Sequence, residues 1–270
     1  MKRHLPFLVL VVFITLTSLW LWARSAPLAV IARGGPGPPA LVLLHGYGSR
    51  AEDWLQFEEK WRLPPGSRRV YPQAPLRGPL TGQRGWWWLG LERYVPTGER
   101  LPDMSKANPG GIKVASRLVR ELLRHEQQPV ILGGFSQGAM TSAEIAFQTD
   151  QELAGLILLA GTTVNEDAWA EQFARRRNLP IFIAHGRADG VLPFAIMERF
   201  HGRLESSGMN VTWYPFDGGH GIPDDVVREI SGWVGGLPGP QKGHRAQLEM
   251  HGLASVRSVP SVAQSGPGRD

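Results

Sequence analysis

Not one cysteine occurs in the 270 residues. Disulfides therefore cannot staple the fold, thiolate catalysis is excluded, and so is a lipid-modified cysteine behind a leader. A concentrated charge is missing as well. The formal net charge of +5 divides into +4 over residues 1–33, +2 over residues 238–270 and −1 over everything between. Nucleic-acid binding needs basic side chains gathered on the folded body; the body has none to spare, so no nucleic-acid partner is expected. The one dense basic run, Arg175-Arg176-Arg177, stands just before Pro180 and reads as the polar end of a helix. No internal repeat is present.

Glycine (33) and proline (22) are in excess, which points to many loops around a globular core of 42% hydrophobic residues. The length suits one large domain. Residues 1–25 stand apart from it. Lys2, Arg3 and His4 precede an apolar stretch from Leu5 to Trp22, softened by Pro6, Thr15, Thr17 and Ser18. That is the basic start and apolar middle of an export signal. Ala23-Arg24-Ser25-Ala26 supplies small residues at a cleavage site, yet the stretch is also long enough to span a bilayer uncut, with Trp20 and Trp22 at an interface. The expectation is an exported protein, secreted, periplasmic or tethered, with membrane contact through this segment. Residues 26–237 form the domain. Residues 238–270, rich in Gly, Ser and Pro without periodicity, read as a disordered tail.

Within the domain, short all-apolar runs alternate with helical patterns. Strands are predicted at 40–44, 68–71, 129–132, 153–160, 180–184 and 211–214. Helices are predicted over 111–126, 136–148, 165–177, 193–206 and 222–234. Strands without a polar face belong to a mostly parallel sheet covered on both sides, an α/β fold. Residues 34–39 read as a linker. Residues 72–110 break the rhythm with prolines and the cluster Trp86-Trp87-Trp88, which could line a substrate pocket or simply pack.

The most informative segment is Gly134-Phe135-Ser136-Gln137-Gly138, a G-x-S-x-G pattern between an apolar run and a helical one. Such a turn presents a serine hydroxyl to an acyl carbon. A serine needs an imidazole to take its proton and a carboxylate to orient that imidazole. Among the histidines, His220 lies in a glycine-rich loop between a strand and the last helix. His45 follows an early strand and suits the shaping of the facing loop, while His125 and His201 sit on helices and read as solvent-facing. Asp189 follows the strand ending near Ala184; its rival Asp217 is only three residues from His220 and reads as a surface turn. For the oxyanion, donors are expected from the backbone N–H of Gln137 and of Tyr47.

These pieces resemble the α/β-hydrolase superfamily, and within it the phospholipase/carboxylesterase family that includes the acyl-protein thioesterases. The matching segments are Leu44-His45-Gly46-Tyr47-Gly48, Pro72-Gln73-Ala74-Pro75, Gly133 to Ala139, His185-Gly186-Arg187-Ala188-Asp189 with Val191-Leu192-Pro193, and Gly219-His220. The resemblance implies a Ser136–Asp189–His220 triad, no metal or cofactor, and action on small ester or lipid-like substrates. Thioester cleavage or acyl transfer would use the same site, and a silent envelope binding protein is the non-enzymatic alternative. Members are commonly cytoplasmic, from which the leader departs.

Overall fold

The computed structural model describes residues 27–78, 82–88, 101–126 and 129–238. The expected leader lies outside them, as does the expected tail beyond Pro238. Among the described residues no helix is long and apolar enough to cross a membrane.

Seven strands form the main sheet: β1 (Val30–Gly34), β2 (Gly37–Leu44), β3 (Ser67–Pro72), β6 (Val130–Phe135), β7 (Gly155–Leu159), β8 (Ile181–Gly186) and β9 (Val211–Phe216). Their spatial order is β1-β3-β2-β6-β7-β8-β9. All neighbours are parallel except β1, which runs antiparallel to β3. A separate two-stranded hairpin joins β4 (Leu76–Arg77) to β5 (Arg84–Gly85).

The alternation of side chains along each central strand builds two cores. Ala40, Val42 and Leu44 of β2, with Leu132, Leu156 and Ile183, face α1 (Gly110–Leu123), α2 (Gln137–Gln148) and α4 (Phe194–Ser206). Leu41 and Leu43, with Ile131, Ile157 and Phe182, face a 3-10 helix (Ala51–Phe57) and α5 (Asp224–Gly236). Both faces are covered, which is why these strands are almost wholly apolar, with His185 near the end of β8 as the polar exception. Helix α1 buries Ile112, Ala115, Ser116, Val119 and Leu123, the stripe its periodicity predicts. In α2 every residue from Gln137 to Phe147 is buried, so this helix stands behind the elbow with no solvent face. Leu43 is fully buried. Leu43→Ala is expected to cost about 2–5 kcal/mol, read as a lowered midpoint of urea unfolding.

Three expectations are corrected. Residues 34–39 are not a linker: β1 ends at Gly34 and β2 begins at Gly37. The polar helix expected over 165–177 is confined to α3 (Glu166–Ala170) and gives way to turns. There the arginine run serves another helix. Arg175 Nη2 donates to the carbonyls of Phe147 (3.2 Å) and Thr149 (2.9 Å), and Arg176 Nη2 to Thr149 (2.7 Å), so two cations satisfy the end of α2. His201 is not solvent-facing; its ring lies flat on Trp213, with centroids 5.1 Å apart at 12°.

Candidate active site

Strand β6 stops at Phe135 and α2 starts at Gln137, leaving Ser136 as the only residue of the turn. Ser136 has φ 55° and ψ −116°, a strained conformation for a residue with a side chain. Its N–H donates to the carbonyl of Leu159 on β7 (2.9 Å). The flanking glycines are demanded by close approach. A Cβ on Gly134 would stand 2.4 Å from the carbonyl carbon of Gly138, and one on Gly138 would stand 2.2 Å from the carbonyl oxygen of Leu44.

Opposite the elbow runs the loop after β2. His45 is 2% exposed. Its Nδ1 lies 2.7 Å from the Gly46 carbonyl oxygen, and its Nε2 accepts the Ala74 N–H at 3.0 Å. A carbonyl on one nitrogen and an N–H on the other require the neutral Nδ1–H tautomer. Burial also pushes the His45 imidazole below its ordinary range, outweighing the Gly46 hydrogen bond that raises it. The histidine thereby ties the loop to Ala74, as its place after a strand suggested. Gly46 packs on the elbow, since a Cβ there would come within 3.3 Å of Ser136 Cβ. Tyr47 is the next residue, and its ring packs against Gly85.

Gln137 reaches across from the first position of α2. Its N–H is among the first-turn donors that have no partner within the helix. Its side chain, 1% exposed, clamps the tryptophan segment: Oε1 accepts the Trp86 N–H (2.9 Å) and Nε2 donates to the Trp87 carbonyl (2.7 Å). Trp86 Nε1 donates to the His45 carbonyl (2.7 Å), and Trp87 Nε1 to Thr141 Oγ1 (3.0 Å). Trp86 and Trp87 are thus buried in the frame between loop and helix. Only Trp88, 48% exposed, is open to solvent, and it stands edge-on to Tyr47 at 6.4 Å.

Asp189 projects from the loop after β8 and is 2% exposed. Its Oδ1 accepts the N–H groups of Val191 and Leu192, both at 2.8 Å, and its Oδ2 lies 2.8 Å from His220 Nδ1. Burial alone would raise its carboxyl, but hydrogen bonds from His185 and His220 outweigh burial and hold it well below the usual carboxylate range. A depressed pKa means the ionised form stabilises the fold. That stability is present above the unfolded carboxylate value of about 4 and is lost as pH falls through and below it. The stability gap between the parent and Asp189→Asn should therefore narrow in urea unfolding as pH is lowered from neutrality toward 3. Asp217, the rival, has a side chain 98% exposed, 3.7 Å from Arg187.

The His220 ring lies 4.8 Å from the Phe135 ring, beside the residue that precedes Ser136. Its Nδ1 is committed to Asp189, leaving Nε2 as the nitrogen available to a serine. Among the described residues Ser136 and His220 form no direct hydrogen bond; such contacts commonly close only when substrate is bound. A cavity of about 320 Å³ opens here, lined by Gly46, Trp54, Phe57, Phe135, His220 and Ile222. Its walls are mixed: Trp54, Phe57, Phe135 and Ile222 form an apolar, largely aromatic side able to seat an acyl or alkyl group, while Ser49, Asp53 and Gln56 add polar groups. A second cavity of about 440 Å³ lies across the Gly48–Ser49 turn, near Arg50, Arg77 and Arg84. Among the described residues no cluster of three or more His, Asp or Glu is placed to hold a metal ion.

Sequence reading gave no role to His185, nor to the Gln137 side chain as a clamp. The first carried a signal in its spacing, four residues ahead of Asp189 at a strand end. The second carried none, because its partners lie about fifty residues away.

A family model described as Phospholipase/Carboxylesterase matches residues 26–235. The chain is 26% identical over 225 residues to acyl-protein thioesterase 1 of Eremothecium gossypii, covering 78% of this chain and 93% of that one. It is 24% identical over 234 residues to lysophospholipase-like protein 1 of Mus musculus, covering 82% and 96%. Among solved structures, esterase PE8 superposes with a TM-score of 0.66 at 24% identity, covering 79% of this chain and all of that one. Acyl-protein thioesterase 2 of Zea mays superposes at 0.63 and 22% identity, covering 76% and 97%. The sheet order, the serine elbow after β6 and the length of the family match agree: this chain belongs to the phospholipase/carboxylesterase family of α/β-hydrolases.

Proposed function

We propose that the chain hydrolyses carboxylic esters through an acyl-enzyme formed on Ser136. One observation carries the reading: a buried, ionised Asp189 bonded to His220 Nδ1, with that imidazole packed beside the strained Ser136 turn. Ser136 Oγ attacks the carbonyl carbon while His220 Nε2 takes the hydroxyl proton, and the N–H groups of Gln137 and Tyr47 receive the developing oxyanion. The tetrahedral intermediate collapses, and His220 returns the proton to the departing alcohol. Water then adds with the same base, and expulsion of Ser136 Oγ frees the acid. Asp189 keeps a proton on His220 Nδ1 throughout, in the neutral ring and in the imidazolium. The aromatic side of the cavity beside His220, formed by Trp54, Phe57 and Phe135, favours a small or lipid-like ester that places an apolar group there.

Thioester cleavage is the second reading. It is favoured by the several relatives named acyl-protein thioesterase 1. Comparing kcat/KM for an oxygen ester and a thioester of the same acyl group separates the two. The basic, then apolar, character of residues 1–25 supports action beyond the cytoplasmic side of a membrane, as a secreted or tethered enzyme. Fractionation of cells and sizing of the mature chain test this: recovery of the full-length chain with the cytosol would remove it.

A further inference from the structure

The carboxylate of Asp189 is shared by two imidazoles. His185, on β8, is completely buried. Its Nε2 lies 3.1 Å from the Leu192 carbonyl oxygen and 3.2 Å from Asp189 Oδ2, the oxygen that His220 Nδ1 reaches at 2.8 Å. A carbonyl can only accept, so Nε2 bears the proton and donates between the two oxygens. The other nitrogen, Nδ1, is buried without a hydrogen-bond partner among the described residues. The ring packs edge-on against Phe194, centroids 5.9 Å apart. An unpaired Nδ1 contributes no hydrogen bond to offset its burial. What the imidazole adds is its one N–H.

We infer that His185 is a positioning residue for the Ser136–Asp189–His220 reading proposed above: its N–H, braced on the Leu192 carbonyl, locks the Asp189 carboxylate in the orientation that serves His220 and draws off part of the charge on Oδ2. With two backbone N–H groups on Oδ1 and two imidazoles on Oδ2, the carboxylate has four donors and cannot swing. Other charged groups stand outside this set. Arg187 lies over Phe194 at 5.4 Å and pairs loosely with the exposed Asp217. His45 and Asp53 line the cavity next to His220. None of the four hydrogen-bonds Asp189.

The sign of the effect follows. Without the His185 N–H, Oδ2 gives its full charge to His220 and favours the imidazolium, so more alkaline conditions are needed to free the base. In the full-length His185→Phe variant, the acid limb of kcat/KM for p-nitrophenyl butyrate should lie about half a pH unit higher. The plateau kcat should fall roughly tenfold as the carboxylate loosens. His185→Gln, which keeps an N–H donor, should restore the parent limb. An unmoved limb in His185→Phe, or equal displacement in both variants, overturns the inference. If the variants fail to fold, imidazole ¹⁵N spectra of the parent decide: His185 must show the Nε2–H tautomer, and the Nδ1–H form overturns it. Labelling of Ser136 by a fluorophosphonate, followed in parallel, separates the two readings. Loss of labelling in the parent removes the serine mechanism, whereas a labelled Ser136 with an unmoved limb removes only the role of His185.

Discussion

Ser136→Ala will lower kcat for a soluble ester by a factor on the order of 10⁶, while the urea-unfolding midpoint stays at or above that of the parent. The two halves of this expectation come from one geometry. Ser136 sits at φ 55° with ψ −116°, a conformation that costs about 1–3 kcal/mol for a residue with a side chain. Alanine in the same place makes the same backbone demand, so stability has no reason to fall. Activity does, because on the proposed mechanism no other hydroxyl stands at the end of β6. Residual turnover from bound water and the oxyanion donors should survive at a level far below the parent. A variant that kept parental turnover would show that the elbow is only a tight turn.

Asp189→Asn comes next in size, with kcat expected to drop by roughly 10⁴-fold. The amide is nearly isosteric and can still accept the Val191 and Leu192 N–H groups on its oxygen. Facing His220 it then presents an NH₂, which forces Nδ1 to accept and moves the imidazole proton to Nε2. An imidazole protonated at Nε2 cannot take a proton from Ser136. KM should change little, since Asp189 is buried and does not line the cavity. The split between a collapsed kcat and a steady KM distinguishes tautomer control from general damage. Asp217→Asn is the matched control: its exposed carboxylate stands apart, and its activity should equal that of the parent.

How far the amino-acid sequence disclosed this arrangement can be read element by element. Strands β2, β6, β7 and β8 were legible because burial on both faces turns each into an unbroken apolar run. Strand β1 was not. It is an edge strand with Val30 41% exposed, and the glycines and prolines that follow it have the composition of a linker. The 3-10 helix over Ala51–Phe57 left no readable period, being too short to show one. The helix expected at 165–177 was shortened by tertiary contacts, as Arg175 and Arg176 turned to the end of α2.

The same division runs through the site. Ser136, Asp189 and His220 each follow a parallel strand at its carboxyl end, the position where loops gather chemistry, so local context singled them out. The tryptophans did not yield to local context. What separates the framed Trp86 and Trp87 from the open Trp88 is the Gln137 side chain and the His45 carbonyl, contacts that exist only after folding. His185 stayed hidden for a similar reason, because its N–H acquires meaning only when the 189–192 loop folds back over β8.

The most direct test of the account is mass spectrometry of the full-length chain after treatment with a fluorophosphonate. Attack by an activated serine displaces fluoride and leaves a stable phosphonyl ester on the attacking oxygen. The account predicts one adduct per chain, located on Ser136 and formed far more slowly in the His220→Ala variant. An unmodified chain, or an adduct on another serine with Ser136 free, would contradict it.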